Sequence, residues 1–336
     1  MKKCLVTGGT GFIGSALVKR LLNDGYYVRV LDNNSRGNES RLKDIINDID
    51  YIEGDIRNYD VVNRACKDID IIHHLAYING TEYFYSMPEV ILEIAVKGVM
   101  NIIDAAKEHG VSDLYLASSS EVYQTPENIP TPETERLIVP DPMNPRFSYG
   151  GGKILWELLG INFGRKYFNK VVIYRPHNVY GPDMGWEHVL PQFALRMNKL
   201  SKESKSDEID FPIVGSGNET RSFIYIDDFV DGIMILTEKA NNLNIYNIGT
   251  MNEISIRNLA EIMAKSLGLS INIIPSDGLH GSAPRRCPDT SKIQDLGFSP
   301  KVQLSVGVEL LVNWYTQHAN EEKKLKTQRS RYEINK

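Results

Sequence analysis

The sequence predicts an α/β fold in which a doubly wound parallel sheet is joined to a smaller C-terminal α/β lobe. Two observations carry this. Through the first half of the chain, short β-rich runs alternate with segments of helical spacing. The first run also ends in a glycine-rich turn that opens directly into a helix. In order, the strands are read in KCLVTG, YVRVLD, DYIEGD, DIIHHLA, DLYLASSS and KVVIYRP, with intervening segments of about 15–30 residues. After RPHNVYGP the alternation loosens. FPIVGSG, RSFIYIDDFVDGIMILTE, IYNIGT and ISIRNLAEIMAKSLG point to a smaller lobe interleaved with the sheet. The resulting division is a dinucleotide-type sheet domain over 1–176, with 222–248 returning to it, a substrate lobe over 177–320, and a charged tail over 321–336. Residues 199–210, KLSKESKSDEID, read as a surface loop.

Composition narrows the function classes. A chain of 336 residues has ample apolar content for a core. No run approaches the roughly 20 apolar residues of a membrane helix, and the N-terminal apolar run is cut by Gly8 and Gly9, a poor signal peptide. The 3 cysteines are odd in number and without a CxxC, which fits a reducing cytoplasm and gives no zinc site. A net charge of -5 argues against a nucleic-acid partner, and nothing indicates a membrane partner. His73, His74, His177 and His188 lack metal-ligand spacing, so no metal is expected.

The first turn, TGGTGFIG, carries Gly9-x-Gly11-x-x-Gly14 with Gly8 before it and Phe12 and Ile13 inside it. Between a strand and a helix, this spacing lets a pyrophosphate approach the backbone at the helix N-terminus. Asp32 ends the next strand, where an acid bonds the ribose 2′-hydroxyl and repels a 2′-phosphate, so NAD is expected over NADP. Arg36, close by, works the other way.

The stretch SYGGGK places Tyr149 and Lys153 four apart at the head of a helix, on one face, around Gly150, Gly151 and Gly152. Each helical glycine costs roughly 0.5–1 kcal/mol relative to alanine, so another purpose is expected for them. One candidate is close approach of a ligand to a helix lacking Cβ atoms.

TGGTGFIG, GDIRN, HHLA, SSSEVY, SYGGGK, RPHNVYGP, RSFIYIDD and RRCPD occur in one order from Lys3 to about Tyr315. In this the chain resembles the extended short-chain dehydrogenase/reductase family of NAD-dependent nucleotide-sugar epimerases and dehydratases. The resemblance implies a Rossmann-type sheet and transient oxidation of a sugar at C4. It makes Tyr149 the general acid/base, Lys153 its electrostatic partner and Ser119 a donor to the same oxygen, with Ser120 and Glu121 as further catalytic candidates. It adds Asn33, Asp55, Ile56, Leu75 and Ala76 to Gly8, Gly11, Phe12, Ile13, Gly14, Asp32, Tyr149 and Lys153 as cofactor contacts. Tyr77, Asn178, Arg221 and Arg286 are implied substrate contacts, the arginines matching phosphate oxygens.

Ser120-Glu121 stands where dTDP-glucose-type dehydratases carry Asp-Glu, and is similar to UDP-glucuronate decarboxylases and GDP-mannose dehydratases. SYGGGK and INGTEYFY do not look like the decarboxylases' counterparts, so epimerase or dehydratase leads, with a decarboxylase-like lyase, a 4-dehydrogenase or a non-catalytic NAD-binding regulator as alternatives. Three departures stand out: Ala95 replaces a usual asparagine, Tyr77 a usual small residue, and the glycines replace mixed small residues. The segment YINGTEYFYS, 77–86, is read as a sugar-side loop. Segments 88–109 and 148–168 read as long helices with apolar residues on more than one face; in the resembling family their counterparts pair two subunits, implying a homodimer.

Overall fold

The computed structural model describes residues 1–203, 208–276 and 284–321. Its centre is a seven-stranded sheet. In spatial order the strands are Asn244–Ile248, Lys170–Pro176, Asp113–Ala117, Ile71–His74, Lys3–Thr7, Tyr27–Asp32 and Asp50–Glu53, every neighbouring pair parallel. Strand Lys3–Thr7 shows how the sheet is covered. Cys4 and Val6 join a core with Leu17, Val18 and Leu21 of helix Phe12–Asn23, whereas Leu5 points to the other face, toward Val62, Ile102 and Trp156. Both faces are therefore buried, the condition under which an all-parallel sheet is stable.

Smaller sheets follow. Val179–Tyr180 pairs with Ile224–Tyr225, Thr220–Ser222 lies between Glu253–Ser255 and Arg285–Arg286, and Glu208–Val214 pairs with Ser270–Ser276. Strand order reverses on either side of Lys3–Thr7, which places a crevice at the carboxyl ends of the central strands.

Three local expectations are corrected. The loop read over 199–210 is helical to Glu203, because helix Val189–Glu203 buries Leu190, Phe193, Ala194 and Met197, and strand begins at Glu208; residues 204–207 lie outside the described residues. The segment 77–86 is not all loop, since Thr81–Ser86 forms a helix that buries Phe84. The helix expected over 88–109 is interrupted: Pro88–Glu93 and Val99–Glu108 are α-helical, but Ile94–Gly98 is a π-turn. There the Ala95 carbonyl accepts the Trp156 indole N–H at 3.0 Å. Helix Ser148–Tyr167 runs close to its expected 148–168, and the charged tail beyond Glu321 lies outside the described residues. Among the described residues no helix is long and apolar enough to cross a membrane.

Candidate active site

A cleft of about 2000 Å³ opens at the carboxyl ends of the strands. Every residue of the expected cofactor set lines it, and so do Ser119, Ser120, Glu121, Tyr77 and Asn178; Arg221 and Arg286 do not.

The glycine turn is shaped as a cradle. Gly8 holds φ +75°, and a Cβ there would lie 2.8 Å from the Ala76 nitrogen; a Cβ on Gly14 would overlap the Gly8 carbonyl. No side chain fits, and Gly8, Thr10 and Gly11 turn their N–H groups to Leu31 O, Asp32 and Gly8 O, so it is the first-turn N–H groups of helix Phe12–Asn23 that face an anion. Asp32 is oriented for a ligand by two backbone bonds, accepting from Thr10 N at 3.0 Å and Asn34 N at 2.9 Å. Arg36 is committed elsewhere: it pairs with Glu187, donates to Tyr83 Oη at 2.7 Å and to Asn79 O at 3.0 Å, and lies over the Tyr83 ring. The charge that could favour a 2′-phosphate is thereby neutralised. These residues fit NAD.

Ser119, Tyr149 and Lys153 converge across the sheet edge. Ser119 follows strand Asp113–Ala117, caps the short turn Ser120–Val122 by accepting from Glu121 N at 3.1 Å, and stands beside Tyr149. Burial pushes the Tyr149 phenol above its ordinary value; Ser119 pulls it back and the Glu121 charge adds to the rise. A phenol so placed needs a cation nearby to ionise at neutral pH. Lys153 supplies one, its Nζ 5.9 Å from the Tyr149 ring centre and donating to Ala117 O at 2.6 Å. Burial pushes this ammonium well below its ordinary value, and Glu157 opposes the shift.

Glu121 pairs with Arg286 through Nη1, and Nη2 lies 3.4 Å from its other oxygen. Burial works to raise the Glu121 carboxyl, but Arg286, then Arg146 and Arg221, outweigh it and hold it below its ordinary value. The two arginines outside the cleft lining thus act beside it, through Glu121. Asn178 lines the cleft with its amide donating to Ser222 O at 2.9 Å.

The three glycines do not serve ligand approach at 150 and 152. A Cβ on Gly150 would lie 2.6 Å from Gln124 Nε2 and 2.9 Å from the Glu121 carbonyl, and one on Gly152 would overlap the Tyr77 hydroxyl; only at Gly151 is there room, with Val139 at 3.5 Å. The helix start is packed against protein, tightly enough to exclude side chains. His177 is buried and bonded to Asn247 at 3.0 Å, pushed down to about 4 by burial, and lies off the cleft, whereas His188 lines it.

Sequence reasoning passed over Arg146, Trp156, the Arg36–Glu187 pair and the buried pair Arg175–Glu157. Arg146 stands three residues before Tyr149, and Trp156 and Glu157 stand three and four after Lys153, so helical spacing was the available signal.

The sequence profile of the NAD dependent epimerase/dehydratase family matches residues 4–249. UDP-glucuronic acid decarboxylase 3 of Arabidopsis thaliana is 33% identical over 316 residues, 92% of this chain and 87% of that protein. Among solved structures, UDP-glucose 4-epimerase of Thermotoga maritima, crystallised with UDP-glucose, superposes with a TM-score of 0.82 at 26% identity, covering 94% of this chain and 99% of that one. The dTDP-glucose 4,6-dehydratase DesIV of Streptomyces venezuelae, crystallised with NAD, also gives 0.82, at 28% identity over 95% of this chain and 98% of that one.

Proposed function

The chain belongs to the NAD dependent epimerase/dehydratase family, and we propose that within it the protein oxidises C4 of a nucleotide-diphosphate sugar transiently and restores the sugar's redox state before product leaves. The observation that carries this reading is the meeting of Ser119, Tyr149 and Lys153 in one cleft with the glycine cradle and Asp32. Gly8, Gly11 and Gly14 would hold the NAD pyrophosphate and Asp32 its ribose; when bound, NAD accepts hydride from the sugar carbon and gives it back. Tyr149 Oη takes the proton of the C4 hydroxyl and later returns it, Ser119 Oγ orients that hydroxyl, and the Lys153 ammonium favours the phenolate. This intact set argues against a regulator without turnover. The sugar-side lobe is 177–320, and Arg221 and Arg286 serve the diphosphate or the sugar.

Between outcomes, the clamp on Glu121 favours C4 epimerisation over dehydration. A carboxylate held by Arg286 is a weak base for a C5 proton, and epimerisation moves none. Decarboxylation of a UDP-uronate is a second reading, supported by the arginine charges of Arg286, Arg146 and Arg221 around that one acid, which suit a sugar carboxylate. A panel of UDP-, GDP-, CDP- and dTDP-sugars, read by product NMR in deuterated water, tests the proposal. Epimerisation yields a C4 epimer without deuterium at C5; dehydration and decarboxylation place deuterium there, the latter with loss of carbon dioxide. Absence of turnover on every nucleotide sugar would sink it.

The enzyme works as a homodimer, paired through the helical segments 88–108 and 148–167, which leave Leu92, Val96, Leu158 and Tyr167 between 44% and 56% exposed. Sedimentation at micromolar concentration is expected to give the mass of two chains, and a single-chain mass would contradict the pairing. Its three buried, unpaired cysteines fit the cytoplasm.

A further inference from the structure

Lys153 is held in an aromatic box. Its Nζ lies 3.6 Å from the Trp156 ring centre and 4.2 Å from that of Tyr77. The two rings meet edge to face at 5.0 Å and 89°, and Tyr77 meets Tyr149 the same way at 5.2 Å. Trp156 is fixed from behind: its N–H donates to the Ala95 carbonyl in the π-turn, and its ring stacks on His74 at 4.2 Å. The Tyr77 hydroxyl is buried without a hydrogen-bond partner, so what this residue offers Lys153 is its ring face.

The box explains three residues that otherwise look unrelated. A Cβ on Gly152 would overlap the Tyr77 hydroxyl and lie 2.8 Å from the Ala95 Cβ. A larger residue at 152 would push Tyr77 off the lysine, and a larger residue at 95 would crowd the space that Gly152 keeps free. The charged neighbours do not make the rings redundant. The Glu157 carboxylate favours the ammonium but is already engaged by Arg175 and Ser118, His74 disfavours it when charged, and Tyr149 is the phenol it serves. Beyond the Ala117 carbonyl, two ring faces are what stand in for lost water.

We propose that Tyr77 and Trp156 are positioning residues for Lys153, holding its ammonium between two ring faces, and that Gly152 and Ala95 are small so that this box can close. The inference rests on the reading of Lys153 as the partner of Tyr149. It is tested on protein labelled with ¹⁵N-lysine, in which the Nζ signal lost in Lys153→Met is followed through a pH titration. Tyr77→Leu and Trp156→Leu fill space without a π face and should lower the Lys153 midpoint by about one pH unit, the scale of a desolvated cation–π contact. Gly152→Ala should do the same by displacing Tyr77. Tyr77→Phe, which keeps the ring, and Gly151→Ala, whose methyl has room, should leave the midpoint in place. In turnover, the alkaline limb of kcat should move down with the midpoint, whereas a merely structural loss lowers the rate at every pH alike. A midpoint that stays put in folded Tyr77→Leu and Gly152→Ala would overturn the proposal, as would a Tyr77→Phe shift as large as that of Tyr77→Leu. Trp156→Leu is not needed for either outcome should it fail to fold. Retained turnover in Lys153→Met would instead strike at the catalytic reading and leave the titration result standing.

Discussion

Replacing Tyr149 with phenylalanine lowers kcat by about 10³-fold, within the range of a lost general acid/base, while nucleotide-sugar affinity changes little. The ring's packing is kept: Phe84 stacks on it at 4.9 Å and Tyr77 meets it edge on, contacts that need no hydroxyl. Only the phenol oxygen, which Ser119 stands beside, is removed. Steady-state kinetics and ligand titration on the same preparation check this. A loss under tenfold would place the base elsewhere, and a parallel collapse of sugar affinity would mean that Tyr149 binds rather than catalyses.

The second large effect falls on stability. Arg175, 1% exposed, donates from Nε and Nη2 to the two oxygens of Glu157 at 2.9 and 2.6 Å, and from Nη1 to Tyr123 Oη at 2.6 Å and Glu133 O at 3.0 Å. Ser118 bonds the same carboxylate. Strand Lys170–Pro176, helix Ser148–Tyr167 and the loop that carries Ser119 are thus tied at one buried point. Arg175→Met leaves Glu157 buried and uncompensated, which costs roughly 3–5 kcal/mol. In a chain of this size that lowers the melting temperature by roughly 4–7 °C. Adding Glu157→Leu recovers part of the loss, because the lone charge is gone. A drop of only a degree or two in the single variant would show that the pair is not what holds these elements together.

What could be read from the chain and what could not divide along sequence distance. The strands were legible because each is a local apolar run, and the cradle because Gly8, Gly11, Gly14 and Asp32 lie within one strand–helix–strand unit. Tyr149 and Lys153 were legible because a spacing of four means one helix face. The reason for Gly152 was not, since its neighbour Tyr77 arrives from the strand two places across the sheet order. Nor was the clamp on Glu121 by Arg286, 165 residues away, or the pairing of Arg36 with Glu187, 151 away. Helical spacing announced a continuous helix over 88–109 and could not show the π-turn, whose Ala95 carbonyl is turned to an indole on another helix. Side-chain partners across a fold leave no periodicity to read.

In the proposed reaction hydride leaves the sugar and returns to it within one turnover. The most direct measurement starts the nucleotide-sugar assay from substrate deuterated at C4 and follows the label by mass spectrometry and NMR. The label is expected to stay with the sugar product, at C4 for epimerisation, with no net reduction of the nicotinamide pool. Label appearing stoichiometrically in released nicotinamide would contradict it and make the protein a net 4-dehydrogenase.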